Sequence, residues 1–172
     1  KILLDTDGLY EYGPINIVIF GDSISHGCVN GYNDYENVYW NLLKRKLNQI
    51  RDYIPVNMIN ASIGGTTANA SLNRMEKQVL SHSPDLVIIC FGLNDVNNPL
   101  EDYIGSLRQI FEKCRSSGCD AIFMTPNMLN TYLADDTPKE FRDYAVKTAD
   151  MQNSGRMDRY IYAAVNLADA MG

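Results

Sequence analysis

Histidine is scarce in this chain: only His26 and His82 occur in its 172 residues. The four cysteines, Cys28, Cys90, Cys114 and Cys119, form no C-x-x-C pair. So thin a set of soft ligands argues against a structural zinc site, and the cysteines read as free thiols. No metal or other cofactor is expected. Long apolar runs are also missing, the stretch from Leu86 to Phe91 being far below the roughly 20 residues of a membrane-spanning helix. Positive charge is in deficit, with 15 Lys and Arg against 21 Asp and Glu, a formal net charge of -6 and a pI near 4.8. Nucleic-acid affinity rests on Lys and Arg neutralising phosphates, so a nucleic-acid partner is not expected. Neither G-x-G-x-x-G nor G-x-x-x-x-G-K-[ST] occurs, which removes the usual dinucleotide and P-loop fingerprints. The G-x-S-x-G elbow of α/β-hydrolases is absent as well. The chain starts at Lys1 with no basic, then apolar, then small-residue pattern, so an export signal is expected to be already removed or never present.

What is there is ordinary globular usage, 45% hydrophobic and 21% charged, in a length that fits one domain with a substantial core. Ile15 to Phe20 is short, β-branched and closed by Gly21, the pattern of a strand buried on both faces. Val56 to Asn60, Leu86 to Phe91, Ala121 to Thr125 and Tyr160 to Val165 repeat it, so five strands are expected. Tyr39, Leu42, Leu43, Leu47 and Ile50 recur at helical spacing between the first two. Leu72, Met75 and Val79 predict a second helix, stopped by Ser81 to Pro84. Tyr103, Ile104, Leu107, Ile110, Phe111 and Cys114 predict a third, and Pro138 with Phe141, Tyr144, Ala145 and Thr148 a fourth. Strands alternating with helices imply crossover units and a parallel sheet.

Open sheets of this kind bind ligands beyond the carboxyl ends of their strands. The residues there are Gly21-Asp22-Ser23, then Ala61 to Thr67, then Gly92-Leu93-Asn94-Asp95. Ser23 has the placement of a nucleophile, although a helix N-cap is the commoner role for such a serine. Gly64 and Gly65 offer backbone amides that can approach a developing negative charge, although a flexible turn explains them too. Asn94 offers a neutral amide donor, with an Asx-turn as the alternative. Three such groups on three successive strand ends would be gathered by a parallel sheet.

In these blocks the chain resembles the SGNH (GDSL) hydrolase family, named for Ser, Gly, Asn and His. Phe20-Gly21-Asp22-Ser23-Ile24-Ser25, Asn60 to Thr67 and Gly92-Leu93-Asn94-Asp95 look like its first three blocks, in order. The resemblance implies a flavodoxin-like α/β fold, a three-layer α/β/α sandwich around a five-stranded parallel sheet. It also implies a serine esterase in which Ser23 is the nucleophile and in which Ser23, Gly65 and Asn94 donate to the oxyanion. Gly64 is the neighbour that competes with Gly65 for its role. The family's fourth block, an Asp-x-x-His pair, has no match here. His26 is too close to Ser23 along the chain to be a good base, and His82 lies in the turn before the third strand. The chain is therefore expected to be a single domain over residues 1–172, truncated before the Asp-x-x-His loop and last helix, and nearly inactive as it stands.

The implied partner is a small-molecule, carbohydrate or lipid acyl ester, with no membrane span, and neither the particular ester, the compartment nor the oligomeric state is legible. Two other readings stay open: a carbohydrate- or acyl-binding module without catalysis on the same fold, and a nucleotide or phosphate binder using the glycine-rich loops. Tyr32 and Tyr35 follow the nucleophile and are candidates for a pocket, whereas Tyr39 and Trp40 read as core. Asp22 and Asp95 flank the expected cleft and could orient its loops through backbone hydrogen bonds, but local turn structure explains them equally well.

Overall fold

The computed structural model describes residues 1–29 and 31–172. Its central sheet has four parallel strands, β1 Ile15–Gly21, β4 Val56–Asn60, β5 Leu86–Cys90 and β6 Asp120–Phe123, in the order β4-β1-β5-β6. A small antiparallel ribbon, β2 Cys28–Val29 and β3 Tyr32–Asn33, stands apart from it. Side chains alternate between the faces of β1 because the strand period is two. Val18 and Phe20, with Val87 and Ile89 of β5, face one core that also takes Met75, Leu107, Ile110, Met157 and Ala164. Those residues come from α4 Ala68–Gln78, α5 Leu100–Ser116 and α7 Arg156–Met171. Ile17, Ile19 and Ile88 face the other way, against Trp40, Leu43 and Leu47 of α3 Tyr39–Ile50. The result is an α/β fold in which helices flank both faces of a parallel sheet.

Four of the five expected strands are present. The fifth is a correction: Tyr160 to Val165 lies inside the helix α7, not in the sheet. Aromatic and β-branched residues favour a strand over a short window. Over the longer window the buried residues are Met157, Tyr160, Ala164 and Leu167, the three-and-four spacing of one helical face. Tyr160 stacks on Tyr103 of α5 with ring centroids 5.8 Å apart, which ties this helix to its neighbour. The helices expected from Tyr39, Leu72 and Tyr103 are α3, α4 and α5. The one expected from Pro138 is α6 Arg142–Asn153, entered through a 3-10 turn at Lys139–Phe141. A short helix, α1 Thr6–Tyr12, was not anticipated; it buries no side chain and is capped by Asp5, whose carboxylate accepts from the Gly8 amide at 2.9 Å.

The strand order locates the functional end. From β1 the chain crosses through α3 to one neighbour, β4, and then returns through α4 to the other, β5. Because α3 and α4 lie on opposite faces, a crevice opens at the carboxyl end of β1, the switch point at which open α/β sheets bind ligands. Register brings the three strand ends level, with Ile19 opposite Asn60 and Gly21 opposite Cys90.

Candidate active site

Ser23 sits at that switch point, as the first residue of a single-turn helix, α2 Ser23–His26. Its alternative role as N-cap falls to Asp22, whose carboxylate accepts from the Ile24 amide at 3.1 Å. The half-buried Ser23 side chain is thereby left without a capping task. The turn from strand to helix requires glycine at position 21, since a Cβ there would lie 2.6 Å from the Cys90 carbonyl oxygen and 2.7 Å from Ser25 Oγ. Ser25 fastens the turn to α3. Its hydroxyl is 3.0 Å from the Tyr39 hydroxyl and its carbonyl accepts from Trp40 Nε1 at 2.8 Å. Tyr39 and the buried Trp40 are therefore anchors, while Tyr32 and Tyr35 are exposed.

The loop after β4 is drawn onto the same turn. Ile63 donates its amide to the Gly21 carbonyl at 3.1 Å, and Asn60 donates from Nδ2 to the His26 carbonyl at 3.4 Å. Gly64 packs against Ser23, so that a Cβ on it would lie 3.6 Å from Ser23 Cβ. The Gly64 N–H donates to His26 Nδ1 at 3.3 Å. Gly65 follows with φ +76°, a left-handed conformation that glycine adopts without strain.

The loop after β5 closes over both. Asn94 does not fold back on its own backbone as an Asx-turn: Nδ2 donates to the Thr66 carbonyl at 3.1 Å and lies 3.5 Å from Asp22 Oδ2. Next to it, Asp95 accepts from the Ala68 amide at 2.9 Å and so caps α4 from outside, alongside Thr67, the helix's own N-cap. Ser23, Gly65 and Asn94 are thus each adjacent in sequence to, or themselves part of, a contact joining two of the three loops.

Two carboxyl groups lie beneath this arrangement. Asp22 and Asp95 are 1% and 2% exposed, and burial pushes each up to about 6 from 3.8 against the pull of the backbone amides they accept from. Asp95 Oδ2 is buried with no hydrogen-bond partner among the described residues, which adds to the cost of its charged form. Sequence reasoning left both open between orienting the loops through backbone hydrogen bonds and local turn structure, because their burial depends on how the loops meet. It also missed Arg74. This residue lies over the Phe20 ring at 4.7 Å and donates to the Ala61 carbonyl, supporting the second loop from below.

Neither histidine is hydrogen-bonded to the Ser23 hydroxyl among the described residues. His26 has Nδ1 on the Gly64 amide and Nε2 3.3 Å from the Tyr35 hydroxyl. His82 is exposed in a 3-10 turn, Leu80–His82, at the amino end of β5. A groove of about 440 Å³ lies away from these loops, between Phe111, Cys119, Asp120 and Met171. No group of three or more His, Cys, Asp or Glu side chains is placed to hold a metal ion among the described residues, and no described helix is long and apolar enough to cross a membrane.

Residues 19–168 match the model of the GDSL-like Lipase/Acylhydrolase family. Among solved structures, a lipase/acylhydrolase from Enterococcus faecalis is 26% identical, with a TM-score of 0.66 over 91% of this chain and 72% of that one. Axe2, an acetylxylan esterase from Geobacillus stearothermophilus, is 21% identical and superimposes with a TM-score of 0.67 over 91% of this chain and 73% of its own. An uncharacterized lipoprotein of Bacillus subtilis, YqeF, is 31% identical over 134 residues, 72% of this chain. The chain spans about half, 53%, of that relative's length. With a family match running from the middle of β1 into the last helix, the chain belongs to the GDSL-like lipase/acylhydrolase family.

Proposed function

We propose that this protein hydrolyses carboxylic esters through an acyl intermediate on Ser23. The hydroxyl oxygen attacks the acyl carbonyl, and the negative charge that forms on the carbonyl oxygen is held by the amides of Ser23 and Gly65 and by Asn94 Nδ2. Gly64 is the weaker choice for the second donor because its N–H is already given to His26 Nδ1. Asn94 can turn one N–H to the oxyanion at small cost, since its contact with Asp22, at 3.5 Å, is the longer of its two. The observation that carries this reading is Asp22 taking the helix cap, which leaves the Ser23 hydroxyl without a capping duty beside a glycine turn, on a loop that the Asn94 amide reaches from the third strand end.

The reaction also needs a base to take the Ser23 proton, and the two histidines of this chain are placed for other work. Removing the base of a Ser-His pair costs roughly a millionfold in turnover, so these 172 residues on their own are proposed to be nearly inactive. That placement also favours a second reading, a module that binds an acylated carbohydrate without cleaving it. Fluorophosphonate labelling of the catalytically competent protein, in which a base activates the nucleophile, separates the two. On the esterase reading the reagent phosphonylates Ser23, as mapped by peptide mass spectrometry, and Ser23→Ala abolishes the label. Absence of label at Ser23, together with calorimetric binding of an acetylated xylooligosaccharide that survives Ser23→Ala, contradicts the esterase and supports the binder.

A further inference from the structure

We propose that His26 is a positioning residue that sets the Gly64–Gly65 turn by accepting the Gly64 N–H at Nδ1. For the purpose of that turn the inference rests on the esterase reading; the hydrogen bond itself does not.

His26 follows Ser23 by three residues in α2, so the two side chains lie on one face of the helical turn. Gly64 sits over both, since a Cβ built on it would lie 3.6 Å from Ser23 Cβ and 3.8 Å from His26 Nδ1. The ring also has a fixed outer contact, with Nε2 3.3 Å from the Tyr35 hydroxyl. Tyr35 is held in turn. Asp34 accepts from the amides of Glu36 and Asn37, the Asp34 amide donates to the Gly27 carbonyl, and Asn41 Nδ2 donates to the Tyr35 carbonyl at 3.0 Å.

These contacts determine where the ring proton lies. A backbone N–H can only donate, so Nδ1 must present a lone pair, and the neutral imidazole then carries its proton on Nε2 and donates to Tyr35 Oη. Such a ring has no lone pair left for the Ser23 proton, which accounts for a histidine beside a nucleophile that is not its base. Its effect is on direction. Fixing the Gly64 amide fixes the peptide that leads into Gly65, whose N–H is the proposed oxyanion donor, and such donors act only when aimed before the charge develops.

The test uses nitrogen-resolved NMR of the intact chain with two variants. His26→Asn keeps an acceptor close to the Nδ1 position, whereas His26→Leu fills similar space without one. In the wild type the imidazole should show an unprotonated Nδ1 and a protonated Nε2. The Gly64 amide should exchange slowly in the wild type and in His26→Asn, and about fivefold to tenfold faster in His26→Leu, as the loss of one hydrogen bond requires. On the catalytically competent protein, in which a base activates Ser23, fluorophosphonate labelling of Ser23 should slow in His26→Leu through its maximal rate, with half-saturation unchanged, and should recover in His26→Asn. A proton on Nδ1 in the wild type overturns the proposal even if a variant fails to fold, and so does a Gly64 amide that exchanges equally slowly in a folded His26→Leu. A wild type with the expected tautomer and a slow Gly64 amide, but no label at Ser23 in the catalytically competent protein, overturns the esterase reading while supporting the His26 link.

Discussion

Asn94 is a neutral amide that reaches across two loops, donating to Thr66 and approaching Asp22, where a turn residue would bond to its own backbone. If it also receives the oxyanion, Asn94→Ala should lower turnover by about 10²- to 10³-fold with KM little changed, measured on the catalytically competent protein. Its bond to Thr66 should add a stability loss of only about 1 kcal/mol, read from a urea melt. A fall in KM affinity alone, with turnover intact, would assign Asn94 to ground-state binding. Ser23, Asn94 and the Gly64–Gly65 pair could be read as candidates because each is small or polar and follows a β-branched run, whereas the choice of Gly65 over Gly64 rests on the family resemblance. The division of labour around them was not. Asp and Ser are both good helix caps, so local preference cannot say that Asp22 takes the cap and Ser23 is spared. The contact between His26 and Gly64 joins residues 38 apart in sequence and leaves no periodic trace.

At the level of elements, the turn from β1 into α2 depends on the absence of a side chain at Gly21. A methyl group there meets the Cys90 carbonyl, part of the neighbouring strand's backbone, which cannot swing aside as a side chain would. Gly21→Ala should therefore cost about 1–3 kcal/mol or more in a denaturant titration and slow Ser23 labelling, because the strand must shift to admit it. An unchanged midpoint would mean that the turn is looser than these distances indicate. The central strands β1 and β5 could be read from sequence because strands buried on both faces are continuous apolar runs, while the edge strands β4 and β6, only partly buried, share enough of that apolar, β-branched character to be found with them. The helix α7 was missed for the same reason in reverse: Tyr160 to Val165 is such a run, and only the wider spacing of Met157, Tyr160, Ala164 and Leu167 distinguishes it.

For the whole molecule, the buried Asp22 and Asp95 make stability depend on pH. Both are raised to about 6 from 3.8, so the folded chain holds protons that the unfolded chain has released between those values. Their contribution is most favourable below about pH 4, declines as pH rises, and reaches its full penalty above about pH 6. The gap corresponds to roughly 3 kcal/mol per carboxyl at most. Asp95→Asn keeps an acceptor for the Ala68 amide and removes one titration, so its stability should fall less than the wild type's between about pH 4 and pH 7 in urea unfolding. Asp34, held below its usual value chiefly by Asn37, acts in the opposite direction but equally in both proteins. Parallel pH profiles for the two would contradict the burial of Asp95.

The central claim is that three loops from successive strand ends converge on one reacting carbon at Ser23. A crystal structure of the protein phosphonylated on Ser23 tests it most directly, because the phosphonyl oxygen marks where the oxyanion would lie. The account predicts that oxygen within about 3 Å of Gly65 N and Asn94 Nδ2, with one Asn94 N–H turned away from Asp22 to meet it. A phosphonyl oxygen directed into solvent, with Asn94 still bonded only to Thr66 and Asp22, would contradict it.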